Sequence, residues 1–448
     1  MKIVLINVAL TIHVALTLFA PVSHADDELE AAIKADYDAH LRDLFEHFHA
    51  NPEHSFVETK TAARLAKELR GAGFEVTEGV GRTGIVAMMK NGDGPLVMMR
   101  ADMDGLPVKE LVDLPYASKV TQVNDDGQEF PVMHACGHDV HMTSLVGTAR
   151  RMAAERDSWS GTLMLIGQPA EEWGKVSGAK AMLEDRLWER FGQPDYALAF
   201  HVSADIEAGK IFVAESAAFS GVDSVDIIVP GVGAHGAYPH RGKDPVLIGS
   251  LIVVALQQLV SRELSPREPG VVTVGVFRAG NKRNVIGEEA VLELTVRSDS
   301  LETRAKLLEG IERIAVNTGR AAGLPDDRLP RVEPKGGVPV TVNDTALVKR
   351  LDARWRAELG DDGLTDYQRQ GMGGEDFPYL TIDPYIPSAY FRVGGTPKER
   401  FEREAAGGPP VASHHSPLFE ITPEPAVRSG VAATVIALRE LMPVANEQ

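Results

Sequence analysis

The sequence predicts an α/β fold with a mostly parallel sheet, interrupted by an inserted ferredoxin-like α+β unit. Three observations predict it. Short apolar runs alternate with amphipathic helical stretches through the first half of the chain, as in strand–helix units that build a parallel sheet. Between residues 217 and 334 the order becomes β-α-β-β-α-β, that of a ferredoxin-like unit. Several apolar runs end in histidine or in paired acids. Such groups are costly to bury unpaired and suit the carboxyl ends of strands, where α/β sheets bind ligands.

The elements follow in chain order. Residues 1–25 read as a secretory signal peptide. Lys2 gives a positive start, residues 3–20 are mostly apolar, and Ser23 and Ala25 supply the small residues of a cleavage site before Asp26-Asp27. The expected location is secreted or periplasmic, after cleavage near Ala25. Leu29, Ile33, Tyr37, Leu41, Leu44, Phe45 and Phe48 have helical spacing, so one helix is expected over 26–50. A second is expected over 58–72, closed by Gly71 and Gly73. Strands are expected at 84–90 and 95–100, the latter entering Asp102-Met103-Asp104. A helix over 140–155 follows the segment Met133-His134-Ala135-Cys136-Gly137-His138-Asp139-Val140-His141. The strand 162–168 runs into Pro169-Ala170-Glu171-Glu172, a helix covers 179–187, and the strand 196–201 ends in His201. These build a catalytic unit over 26–216 that resumes over 335–448 and closes with a helix at 425–441. The insertion, 217–334, holds strands at 222–229, 271–277, 290–297 and 328–333, with helices at 245–263 and 301–318. No run after the leader is expected to span a bilayer; the most apolar, 245–260, is short and contains Gly249 and two glutamines.

Composition narrows the function. A formal charge of −18 disfavours nucleic acid or an anionic membrane as partner. A length of 448 residues suggests two domains. Cys136 is the only cysteine, so an intramolecular disulfide is excluded. It remains a metal ligand, a nucleophile or a buried small residue. His134, His138 and His141 beside it favour a metal, since thiolate and imidazole are preferred ligands of zinc and related ions.

Four clusters occur in order: the cysteine segment, Gln168-Pro169-Ala170-Glu171-Glu172, Phe200-His201-Val202, and His415-Ser416-Pro417. With Asn51-Pro52-Glu53, Gly231-Val232-Gly233-Ala234-His235, Asn284-Val285-Ile286 and Gly373-Gly374-Glu375-Asp376-Phe377, they make the chain resemble the binuclear metallo-amidohydrolases of the aminoacylase and carboxypeptidase superfamily. The resemblance covers nearly the whole chain after the leader. The most similar branch holds hippurate hydrolases and hydrolases of indoleacetyl-amino acids. Most of the superfamily has His-x-Asp where this chain has Asp102-Met103-Asp104. The amidohydrolase branch makes the same change and adds the cysteine ligand.

The resemblance implies a metallopeptidase-type catalytic domain and an inserted dimerisation domain. It implies two divalent ions per subunit, zinc or manganese with nickel or cobalt as alternatives, held by Cys136, His138, Glu172, His201 and His415. Glu171 is the implied general base, acting on a metal-activated water. Asp104 and Asp139 are expected either behind the metal-binding histidines or as helix caps. His134 and His141 are expected to be structural or to lie behind the ligands. His235 is expected to stabilise the oxyanion in the partner subunit's site, and Asn284 and Arg297 to hold the substrate's carboxylate or carbonyl. The implied activity is hydrolysis of N-acyl amino acids by an exported homodimer. A dipeptidase or metallocarboxypeptidase acting on short peptides is the alternative, and a non-catalytic exported metal- or ligand-binding protein the remote one.

Overall fold

Four parallel strands form the centre of the larger sheet. The computed structural model describes residues 24–444 except 125 and 175; the expected leader lies, through residue 23, outside them. Strands Gly161–Gln168, Leu96–Asp102, Tyr196–Glu207 and Ser388–Thr396 lie side by side in that order, each parallel to the next. Antiparallel strands flank them, Gly84–Asn91 and Glu75–Val80 on one side and Ile211–Val213 on the other. The central strands are buried along almost their whole length. That is why they read as unbroken apolar runs rather than as alternating patterns. One face packs on helices His138–Ala154, Pro423–Leu441 and the N-terminal helices. The other packs on Gly178–Glu184, Leu187–Phe191 and Tyr379–Ile382. The fold class is the expected α/β class, with the parallel strands gathered at the sheet's centre.

The second sheet has four antiparallel strands in the spatial order Gly270–Ala279, Glu289–Ser298, Gly221–Pro230, Arg331–Val338. In chain order this is 2-3-1-4, the ferredoxin-like arrangement. Helices Pro245–Gln258 and Leu301–Ala321 cover one face and share its core through Ile248, Ile252, Leu256, Leu307 and Ile311. A short ribbon, Ala217–Phe219 paired with Thr341–Val342, joins the two passages between the sheets.

Three differences from expectation have local causes. The helix expected over 26–50 is divided into His24–Asp36, a π-turn at Tyr37–Leu41 and Arg42–Ala50. The wide turn keeps Tyr37 and Leu41 buried with Leu44, Phe45 and Phe48, as an inserted π-turn rotates one face of a helix relative to the next. The strand expected to stop at His201 continues to Glu207, because Ser388–Thr396 pairs with it as far as that residue. The apolar stretch from Pro245 was expected to be short for a membrane. With its terminal π-turn the helix reaches Glu263, and by length and composition it is long and apolar enough to cross one. It packs one face on the four-stranded sheet and leaves Leu247, Leu251 and Val254 exposed.

Candidate metal centre

The cysteine segment owes its shape to Gly137. This residue caps the helix His138–Ala154 with φ of 85°, a conformation that favours glycine. A Cβ there would also lie 2.3 Å from Val202 Cγ1. The turn leaves Cys136 in the loop and makes His138 the first helical residue, so the helix begins two residues earlier than expected. Two non-glycine residues of the same region are also left-handed. Ala170, with φ of 46°, precedes Glu171, and His415 has φ of 65°. Such conformations cost about 1–3 kcal/mol and persist where surrounding contacts hold them. Glu58 holds the first: its Oε1 accepts the Ala170 N–H at 2.8 Å and its Oε2 the Thr83 hydroxyl at 2.5 Å. His415 N–H donates to the Ala135 carbonyl at 2.9 Å, tying the last ligand loop to the cysteine loop.

The five expected ligands come together. Ligand atoms of Cys136, His138 and His201 lie within 4.8 Å of one another, as do those of Cys136, Glu172 and His415, and of His138, Glu171 and Glu172. Cys136 Sγ is 3.4 Å from His201 Nε2, and His415 Nε2 is 3.1 Å from Glu172 Oε1. His201 Nδ1–H donates to its neighbour's carbonyl, Val202 O, at 2.6 Å, which leaves Nε2 with a free lone pair facing the thiol. Both nitrogens of His138 and Oε1 of Glu172 are buried without an aligned hydrogen-bond partner. A thiol, three imidazoles and a carboxylate, several with orphaned donor atoms, fit divalent cations of the zinc type.

Electrostatics follow from crowding. Burial pushes the Cys136 thiol up, and Glu172 and Glu171 add to it. Burial would lower His138, yet the Asp102 and Asp104 carboxylates raise it to about 10. His201 is held low by burial and by His141 and His414. Burial, then Glu375 and Glu172, push Glu171 well above the usual carboxylate range.

The supporting shell departs in part from expectation. Asp104 fits it: Oδ1 lies 3.3 Å from His138 Nδ1, while Oδ2 accepts the Ser55 hydroxyl and the Glu172 N–H. Asp139 departs from the first of its two expected roles: Oδ2 lies 2.7 Å from His49 Nδ1, and Oδ1 accepts the Val140 N–H in the first turn of its helix. His49, flanked on its other nitrogen by Glu110 at 3.0 Å, competes successfully for the carboxylate. His141 links Asp102 at 2.5 Å to the Val202 N–H at 2.9 Å and so anchors the strand end that carries His201. His134 is buried with neither ring nitrogen partnered. Glu375 and Asp376 share the buried Arg100 guanidinium with Asp102. Of the adjacent pair His414 and His415 the resemblance selects His415; the structure places His414 beside the site too, its Nε2 accepting the Ala204 N–H while Nδ1 lies 3.9 Å from Cys136 Sγ.

The insertion's residues lie at two ends of its sheet. His235 is exposed and pairs with Val285, and Asn284 O accepts the Gly236 N–H, so His235 and Asn284 share one tip. Arg297 stands near the opposite end of the ten-residue strand Glu289–Ser298, which spans roughly 30 Å. Its Nη1 donates to Met372 O at 2.6 Å, in the loop leading to Glu375. Within one chain the structure therefore brings Arg297, and neither His235 nor Asn284, toward the metal-binding loops.

Comparison with known proteins agrees with this picture. Residues 98–407 match the model of peptidase family M20/M25/M40. A hippurate hydrolase of Campylobacter jejuni is 37% identical over 333 residues, covering 74% of this chain and 82% of the relative. An IAA-amino acid hydrolase of Arabidopsis thaliana is 33% identical over 377 residues, covering 84% and 80%. The crystal structure of a dinuclear metal-binding peptidase of the M20 family from Bacillus subtilis superposes with a TM-score of 0.74 at 26% identity, covering 92% of this chain and 99% of that one.

Proposed function

The chain belongs to the M20/M25/M40 peptidase family and is a metal-dependent amidohydrolase; from that premise we propose that it cleaves the amide of N-acyl amino acids, with Glu171 as general base. The observation that carries this reading is the convergence of a thiol, three imidazoles and the Glu172 carboxylate, with His138 Nε2 left without a hydrogen bond among the described residues. An unpaired buried polar atom costs about 1–3 kcal/mol, and a cation bound at His138 Nε2 would satisfy it. Cys136, His138, Glu172, His201 and His415 would hold two divalent ions, zinc or manganese first. Such ions, when bound, polarise an amide carbonyl and bring the pKa of a water toward neutrality.

Glu171 stands beside this set without being needed in it. Its carboxylate takes the proton of the attacking water and returns it to the leaving nitrogen. Burial, then the neighbouring carboxylates, raise its pKa, and cations bound beside it would oppose that rise and favour the carboxylate that accepts the first proton. The names of the relatives, hydrolases of hippurate and of IAA-amino acids, support acyl amino acids as the substrate class. The leader-like N-terminus supports export. A homodimer built through the insertion is supported by the exposed face of Leu247, Leu251 and Val254, at 59%, 49% and 71% exposure, and by the outer strand Gly270–Ala279, which is paired on one side only. Uncovered apolar faces and sheet edges of this kind invite a second chain. In that dimer His235 and Asn284 would complete the partner's site.

Metal analysis combined with release of free amino acid from a panel of N-acyl amino acids and dipeptides tests the reading. Two metals per chain, and activity on the acyl amino acids that chelation abolishes, is the expected result. Cleavage confined to the dipeptides replaces the reading with a dipeptidase. Chelation-resistant turnover removes the metal assignment.

A further inference from the structure

Gln168 and Asp102 end their strands, and His201 and Arg392 lie side by side partway along the two neighbouring strands. Asp102 is in register with Gln168, and His201 with Arg392. The first three have partners that explain them: Gln168 and Asp102 hold Arg100, and His201 faces Cys136. Arg392 has none of this kind. Its guanidinium lies over the ring of Phe219 at 4.5 Å and that of Tyr367 at 5.7 Å, and its one hydrogen bond among the described residues runs from Nη2 to Ala218 O at 3.3 Å. No carboxylate pairs with it among the described residues. Burial holds its pKa below the ordinary arginine value, and Arg369 adds to that.

Arg392 lines a cavity of about 370 Å³ together with Arg369, Tyr390, Ser216 and Asp299. That volume suits a small ligand or part of one. Arg369 is paired with Asp299, yet its Nη1 is buried with no hydrogen-bond partner among the described residues. Asp299 also accepts the Ser220 hydroxyl. The cavity therefore holds two guanidinium groups, one carboxylate that is already engaged, and unused N–H donors. Two of the cavity's residues connect it to the expected metal centre: Arg392, which stacks on Phe219, and Tyr390. The Phe219 ring lies 5.8 Å from that of His201, and Tyr390 donates its hydroxyl to Glu375 Oε2 at 2.6 Å.

We propose that Arg392, with Arg369 across the cavity, is an anion subsite that receives a free carboxylate of the substrate. Guanidinium forks match carboxylates in geometry as well as in charge. A site whose buried donors lack partners discriminates strongly against a ligand that cannot satisfy them. The inference rests on the N-acyl amino acid reading given above and adds a residue to it, since Arg297 already donates to Met372 O.

The test compares hippurate with its uncharged primary amide, on the metal-loaded protein and on Arg392→Gln. The expected loss in kcat/KM on hippurate exceeds the loss on the amide by about 10- to 100-fold, the usual worth of hydrogen bonds to a charged group. The difference should appear in KM more than in kcat, with metal content unaltered, and Arg392→Lys should recover part of the preference. Equal losses on the two compounds make Arg392 a packing residue and overturn the subsite. Should Arg392→Gln fail to fold, Arg392→Lys and Arg369→Gln carry the same comparison. If the wild type turns over neither compound, the proposed function falls. The subsite is then read from hippurate's protection against thermal unfolding, which a native-state ligand confers by mass action. Greater protection of wild type than of the variant supports it, and equal or no protection overturns it.

Discussion

At the scale of single residues, Glu171 and His49 make separate demands on experiment. Glu171→Gln keeps the shape and removes the ionisable group. Turnover should fall by about 10²- to 10⁴-fold, while metal content and binding of hippurate persist. Loss of metal in that variant would make Glu171 a ligand and demote Glu172. His49 is buried between Asp139 and Glu110, beside the Tyr116 ring and near His134. Burial alone would lower its pKa, but the two carboxylates raise it to about 10. A histidine raised in the folded state contributes stability that is fully present below about pH 6.5 and is lost as pH climbs toward 10. The thermal midpoint of the wild type should therefore fall more between pH 7 and 10 than that of His49→Gln. Parallel midpoints across that range would mean that His49 is neutral in the folded chain.

At the scale of elements, the turns around the strand ends decide the site. Gly137 combines a left-handed backbone with contact on Val202, whose N–H is held by His141. Gly137→Ala adds a Cβ where Val202 stands and forces a costly φ. It should destabilise the fold by about 1–3 kcal/mol and lower metal occupancy, since Cys136 and His138 flank it. Unfolding midpoints and metal stoichiometry measure the two effects separately. Full occupancy at unchanged stability would show that the turn adapts. Ala170 is the counterpart on the glutamate loop. There the Glu58 carboxylate supplies the hydrogen bond that keeps the left-handed turn, and through it the position of Glu171.

At the scale of the whole molecule, the strand Glu289–Ser298 separates His235 from the metal centre of its own chain. Replacing Leu251 and Val254 by aspartate should give a monomer by light scattering, because two charges would enter an apolar seam. The monomer should lose most of its activity while keeping its metals. Mixed dimers of Glu171→Gln and His235→Ala chains, formed by mild unfolding, contain one site with both groups intact. Activity should partly return in them. An active monomer would end the trans-site argument, and no recovery in verified mixed dimers would place His235 in its own subunit's site.

The sequence by itself determined the fold class, and through the resemblance it carries it supplied the expected ligand set. Buried parallel strands must be apolar along their length, so 162–168 and 196–201 stand out. Thiol, imidazole and paired acids at their ends are too costly to leave unused. Insertion strands with polar alternation, such as Glu289–Ser298, follow from the same rule. What only the tertiary structure decided is which groups pair. Asp139 turns to His49, ninety positions away in the chain, because a carboxylate goes to the nearest cation that packing provides. Arg392 reads in the sequence as one charged residue in an apolar run. It becomes notable when the register sets it beside His201 and the cavity's carboxylate, Asp299, pairs with Arg369 instead. The spacing of residues along a chain fixes faces and periods, whereas partners across strands depend on register and on how helices settle over the sheet.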